Sequence, residues 1–136
     1  MVIYVTGCAG FIGSYVTEYF LKKGWMVRGV DKLTYASDKN TIKMFEEYPN
    51  FEFENKDICD LDHLYDCDYV INCAAESHVD NSIMSSDTFL KSNVNGVHRL
   101  LELIKSKRQY EMPTLIQFST DEVYGDVKKG KVDENA

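Results

Sequence analysis

The chain has 136 residues, 44% hydrophobic and 27% charged, a profile that suits one globular domain around one core. Its 15 basic and 22 acidic side chains leave a formal net charge of −7; that argues against a nucleic-acid partner, because gripping a phosphate backbone takes clustered Lys and Arg. No apolar run reaches membrane-spanning length, and the N-terminus opens on a strand-like segment without the basic start of a signal peptide, so no membrane partner is expected and the chain is read as cytoplasmic.

In chain order, "VIYVT" (2–6) is a β-branched run closed by Gly7, the pattern of a short buried strand. Apolar residues at 11, 12, 15, 16, 19 and 20 form the stripe of an amphipathic helix, closed by Lys22, Lys23 and Gly24. "MVRGVD" (26–31) is a second strand, followed by a loop through "KLTYASD" and a helix near 40–48 stopped by Pro49. "FEFEN" (51–55) alternates as a third strand, "CDLDHLYD" predicts a short helix, and "YVINCAA" (69–75) is a fourth, buried strand. After the polar loop "ESHVDNSIMSSD" a long helix is predicted from Thr88 to Lys107, with Leu90, Val94, Val97, Leu100, Leu101 and Ile104 on its inner face. "TLIQFS" follows Pro113 as a fifth strand, and the tail "GDVKKGKVDENA" is polar.

Strands alternating with helices imply an α/β fold, a doubly wound, Rossmann-like parallel sheet with right-handed crossovers. The expected strand order is 3-2-1-4-5, ending after strand 5, with ligand at the carboxyl ends where the order reverses between strands 1 and 4. The cysteines at 8, 59, 67 and 73 show neither C-x-x-C nor metal-ligand spacing. They are read as small apolar residues in a reducing setting, with no metal and no disulfides expected.

"GCAGFIG" places Gly7, Gly10 and Gly13 between the first strand and the first helix, with Asp31 at the end of strand 2. That context is the fingerprint of dinucleotide binding: a tight turn at Gly7, close approach to a pyrophosphate at Gly10, and close helix–sheet packing at Gly13. Asp31 is placed to accept the ribose hydroxyls, and its charge disfavours a 2′-phosphate, so NAD is expected over NADP; Arg28 and Lys32 nearby weaken that exclusion. Cys8 is read as a small residue that a bound pyrophosphate covers.

The G-x-x-G-x-x-G spacing resembles that of the extended short-chain dehydrogenases. "DKLTYA", "KDICD", "AAESHVD" and "STDEVYG" together resemble the nucleotide-sugar 4,6-dehydratases over essentially the whole chain. The resemblance implies that Phe11, Ile12, Lys32, Leu33 and Thr34 contact NAD together with Asp31, that Asp57 and Ile58 border the adenine, and that Ala74 and Ala75 lie along the nicotinamide half. It also implies cofactor contact at Ser92, and puts Ser77 between cofactor and sugar. Ser37 stands where that family tends to have glycine, Asn81 where Arg is frequent, and Ser92 where Thr is usual. His78, beside Asp80, is read as structural.

The implied reaction dehydrates a dTDP- or UDP-glucose to the 4-keto-6-deoxy sugar. By resemblance Asp121 is the acid at the 6-hydroxyl, Glu122 the base at C5, and Thr120 the hydrogen-bond partner of the 4-oxygen. Neighbouring carboxyls in a closed site repel, which keeps one protonated. Regular strand geometry must therefore end near Ser119 or Thr120, because in a strand Asp121 and Glu122 point to opposite faces.

Enzymes of this type carry a Tyr-x-x-x-Lys pair after strand 5. Here Tyr19 with Lys23 and Tyr35 with Lys39 match the spacing on the first helix and the loop after strand 2, and Tyr124 with Lys128 matches it in the polar tail, without a helical pattern around it. Residues 1–136 are accordingly read as the N-terminal part of an NAD-binding domain, without a sugar-nucleotide domain, binding NAD without turnover. An open edge at strand 5 is expected to favour self-association or a homodimer. Epimerases and decarboxylases of nucleotide sugars share the fold but usually lack the adjacent Asp-Glu; a non-catalytic NAD-binding module is the other alternative.

Overall fold

The computed structural model of the chain describes residues 1–77, 86–126 and 130–135. Five parallel strands, β1 (Val2–Thr6), β2 (Met26–Asp31), β3 (Phe51–Asn55), β4 (Tyr69–Asn72) and β5 (Thr114–Gln117), stand in the order β3-β2-β1-β4-β5. This is the doubly wound order that the alternating pattern predicts. Strand periodicity divides the core in two. Ile3, Val5, Val27 and Ile71 pack on one face with Leu21, Ile42 and Phe45, while Tyr4, Val30 and Val70 pack on the other with Leu100, Leu103 and Ile104.

The first helix, α1 (Phe11–Lys22), forms where predicted but turns a different face inward. Gly13, Thr17 and Leu21 are buried, whereas Phe11, Ile12, Tyr15 and Tyr19 are exposed. The reason is steric. A Cβ at Gly13 would run into the Gly7 carbonyl oxygen, so the helix sits against the β1 loop through its smallest residues. Of the wider apolar stripe, Val16 and Phe20 still pack against the core, and the other four residues are left outside. α2 (Lys39–Phe45) starts at Asp38, whose side chain accepts from the Asn40 amide at 2.9 Å, and ends in a turn before Pro49.

The long helix also forms. An α-helical turn Asp87–Phe89, a π-helical stretch Leu90–Gly96 and an α-helix Val97–Lys105 make up α3. Its buried residues are Ser92, Gly96, Leu100, Leu103 and Ile104; Leu90, Val94 and Leu101, predicted to face inward, are exposed. Gly96 decides this, because a Cβ there would meet Ile58 Cδ1, so the helix closes on Ile58 through a bare backbone. Burying Leu100, Leu103 and Ile104 contributes roughly 1.5–3 kcal/mol each.

Three predicted boundaries move. "CDLDHLYD" supplies only the end of a 3-10 turn, Ile58–Asp60, after which buried Leu61 and Leu64 hold an irregular segment on the sheet. β4 ends at Asn72 because the chain of β1 turns away at Gly7: the Cys73 amide still reaches the Thr6 carbonyl, but the Ala74 amide reaches only the Thr6 hydroxyl at 3.2 Å. β5 loses its partner one residue later, when the Phe118 amide has used the Asn72 carbonyl.

Gly13→Ala is expected to lower the stability by at least about 2 kcal/mol, whereas Tyr15→Ala should change it by less than about 0.5 kcal/mol. Urea unfolding of the two variants checks which face of α1 is packed.

Candidate functional site

The site grows from the turn after β1. Gly7 adopts φ +67°, and a Cβ there would stand 2.8 Å from the Ala74 amide nitrogen, so the β1 and β4 loops approach as only glycine allows. The Gly7 amide donates to the Val30 carbonyl at 2.8 Å, pinning the loop to β2. No side chain caps α1 at Gly10, and no acidic residue lies in its first turn. Its leading amides are therefore left for an anion, reinforced by the helix dipole. Phe11 and Ile12 send their side chains to solvent, 81% and 49% exposed, and only their amides serve this role.

Asp31, buried at the end of β2, ties three segments together. Its Oδ2 accepts from the Ala9 amide at 3.0 Å; its Oδ1 accepts from the Leu33 amide and from the Ser37 hydroxyl, both at 2.8 Å. Leu33 holds φ 55°, alone among the described non-glycine residues in that region. Such a backbone costs on the order of 1–3 kcal/mol, and the hydrogen bond to Asp31 helps to offset it. Leu33 thus enters the site through its amide.

Beyond Asp31 lies a charged node. Lys32 Nζ donates to Ser92 Oγ at 3.0 Å and stands 3.8 Å from Asp57 Oδ2 and 3.6 Å from Glu76 Oε1. Lys91 reaches Asp57 at 3.3 Å. Asp57 also caps the 3-10 turn by accepting from the Cys59 amide at 3.0 Å. Burial works against its charge, but that amide and the two lysines outweigh it and hold its carboxyl below the usual range. Asn93 completes the wall as a two-point clamp on the β4 loop: its Oδ1 accepts from the Glu76 amide and its Nδ2 donates to the Glu76 carbonyl, both at 2.9 Å.

These groups surround one cleft, lined by Gly7, Gly10, Val30, Asp31, Lys32, Thr34, Ala36, Ser37, Lys56, Asp57, Ile58, Cys73, Ala74, Ala75, Glu76 and Ser92. Ten of the expected cofactor-contact residues converge here, from Gly7 and Gly10 to Ala74, Ala75 and Ser92. Gly13 acts from behind, by packing. Glu76, Lys56 and the Asn93 clamp were missed; the one signal was a carboxylate directly after the Ala74-Ala75 pair. Arg28 is engaged elsewhere, 2.7 Å from Glu52 and over the Tyr65 ring, and does not line the cleft. Cys8 is buried under the loop against Gly29, where burial, and then the Asp31 charge, push its thiol far up. It is packed by protein and needs no pyrophosphate to cover it. All four cysteines are free.

The other predicted group stands apart. β5 stops at Gln117, and Asp121–Tyr124 form a 3-10 turn entered from an extended Thr120, so no strand runs through the acidic pair. Thr120, Asp121 and Glu122 are all exposed, and so is Ser77. The closed surroundings expected for the carboxyl pair are not present among the described residues, since no described element packs over the turn. His78, Asp80 and Asn81 lie outside the described residues.

A sequence-family model described as GDP-mannose 4,6 dehydratase matches residues 4–136. A dTDP-glucose 4,6-dehydratase of Haemophilus influenzae is 40% identical over 140 residues, covering 93% of this chain and 41% of the relative. Among solved structures, a dTDP-glucose 4,6-dehydratase of Streptomyces venezuelae, a double mutant with NAD bound, superposes with a TM-score of 0.86 at 31% identity over 99% of this chain and 44% of that one. A UDP-Glc/GlcNAc 4-epimerase of Campylobacter jejuni superposes with a TM-score of 0.85 at 25% identity, over 98% of this chain and 41% of that one. The chain thus spans about two fifths of the length of the relatives it matches.

Because the Asp57 carboxyl is held below its unfolded value, the stability it adds is full above the ordinary aspartate range and is lost as pH falls through the folded value. The stability difference between the wild type and Asp57→Asn is expected to be flat above about pH 5 and to shrink below about pH 4. Urea midpoints measured across that range check it.

Proposed function

The chain belongs to the GDP-mannose 4,6 dehydratase family, and from that premise we propose that its cleft binds NAD and that its acidic turn carries the elimination half of a nucleotide-sugar 4,6-dehydratase. The observation that carries the cofactor reading is the pairing of an uncapped α1 N-terminus with a buried carboxylate, Asp31, at the end of the neighbouring strand. The first suits a pyrophosphate and the second a ribose diol. A 2′-phosphate on that ribose would meet the Asp31 charge, while Arg28 is already paired with Glu52; both favour NAD over NADP.

Bound NAD supplies reversible hydride acceptance; the rest falls to side chains. Thr120 hydrogen-bonds the 4-oxygen of the sugar, Glu122 takes the C5 proton, and Asp121 protonates the departing 6-hydroxyl to release water. The 3-10 turn suits this division. Successive residues there are about 120° apart around the axis, against about 180° in a strand, so both carboxylates can address one sugar. Both side chains are exposed. Ser77 stands on the β4 loop for the sugar. The substrate is a dTDP- or UDP-glucose, and the adjacent Asp121-Glu122 is the feature that favours dehydration over epimerisation.

We further infer that the 136-residue chain, an N-terminal part of the NAD-binding domain, binds NAD without turnover: the Tyr-x-x-x-Lys spacing that follows β5, Tyr124 with Lys128, begins in the 3-10 turn and not on a helix. Its four free cysteines fit a cytoplasmic setting. Asp31→Ala is expected to weaken NAD binding about tenfold or more in calorimetric titration, and sugar nucleotide with NAD should give no 4-keto product with either protein. Equal affinity in the variant would refute the cofactor site; product formation would refute the inactivity.

Self-association follows from β5 at the edge of the sheet, with Ile116 and Phe118 exposed beside it. Light scattering should report a mass that rises with concentration; a constant monomer mass counts against this reading.

A further inference from the structure

The hydrogen bonds to Asp31 leave its carboxylate nearly full. An ionised carboxylate offers about four lone-pair sites, two on each oxygen. The Leu33 amide and the Ser37 hydroxyl take both on Oδ1, and the Ala9 amide takes one on Oδ2. A vicinal ribose diol brings two O–H donors and, to grip the carboxylate across both oxygens, needs one site on each. Oδ2 has a site to give. Oδ1 has none unless a donor leaves.

The two amides cannot leave without unravelling the loops that they fix, whereas the Ser37 hydroxyl can. Its backbone is held on both sides, by the Ser37 amide on the Thr34 carbonyl at 3.1 Å and the Asp38 amide on the Ala9 carbonyl at 2.9 Å. Release therefore needs only a rotation about χ1 between staggered wells. Ser37 also lines the cleft, on the same wall as Thr34 and Ala36.

We propose that Ser37 is a stand-in for a ribose hydroxyl: it satisfies Asp31 when the cleft is free of nucleotide and must be displaced by the diol of an adenosine nucleotide, so that it sets nucleotide affinity by competition. This rests on the nucleotide reading of the cleft, and it assigns Ser37 a positioning role that acts through Asp31. The competition concerns the second hydroxyl only, because a ribose with a single donor is served by the free site on Oδ2.

The test uses the whole chain and two probes, ADP and 2′-deoxy-ADP, titrated calorimetrically into wild type, Ser37→Ala and Ser37→Thr. Ser37→Ala should bind ADP at least about tenfold more tightly than wild type, the worth of one competing hydrogen bond to a charged group. Its affinity for 2′-deoxy-ADP should change by less than about twofold. Ser37→Thr keeps the hydroxyl and should bind ADP as wild type does. Unchanged or weaker ADP binding by Ser37→Ala, or an equal gain for both probes, overturns the competition. Absence of ADP binding by wild type overturns the nucleotide reading and the proposal with it; wild-type binding without a gain in the variant overturns the proposal alone.

Discussion

The structure depends on one buried carboxylate. Asp31 sits at the end of β2 and receives amides from the loop after β1 and from the loop after β2. That bridge joins the two loops alongside the bond from the Asp38 amide to the Ala9 carbonyl, and it helps to offset the left-handed backbone of Leu33. A hydrogen bond to a charged group is worth about 1.5–3 kcal/mol, enough to hold a short loop and little enough to be renegotiated with a ligand. The same group thus builds the cleft and is the most polar feature in it.

The second constraint is close packing through small residues. Gly7 lets β1 and β4 loops touch, Gly13 lets α1 sit on the Gly7 turn, and Gly96 lets α3 close on Ile58. The last contact falls in the π-helical stretch, whose wider turn brings Lys91, Ser92 and Asn93 into reach of Asp57, Lys32 and Glu76 respectively. The irregular stretch thus borders the site through Ser92, consistent with the frequent placement of such stretches at functional positions.

Much of this was legible in the sequence, and the reasons differ by residue. Strand order followed from alternation, and Gly7, Gly13 and Asp31 followed from backbone demands that few residue types meet. The packed faces of α1 and α3 were read only in part, with Val16, Phe20, Leu100 and Ile104 inward as expected, because each helix carries two candidate stripes. Periodicity selects the more apolar one, whereas close approach selects the one with Gly13 and Thr17, or Ser92 and Gly96. The Asn93 clamp on Glu76 spans 17 residues and depends on the helix irregularity, so no local pattern announces it. Strand ends were misjudged at Asn72 and Gln117 because a strand stops when its neighbour turns away, which is a property of the pair. The acidic turn at Asp121 was read correctly as lying beyond the strand, but its side chains are exposed and not enclosed as expected.

The most direct test of the cofactor cleft is an amide-resolved NMR titration of the chain with NAD. The account predicts that shifts concentrate at the leading amides of α1, from Phe11 to Gly13, at Leu33, and at Ala74 to Glu76 on the β4 loop. Saturable shifts confined to other surfaces, or none at these amides at a concentration that saturates binding, would contradict it.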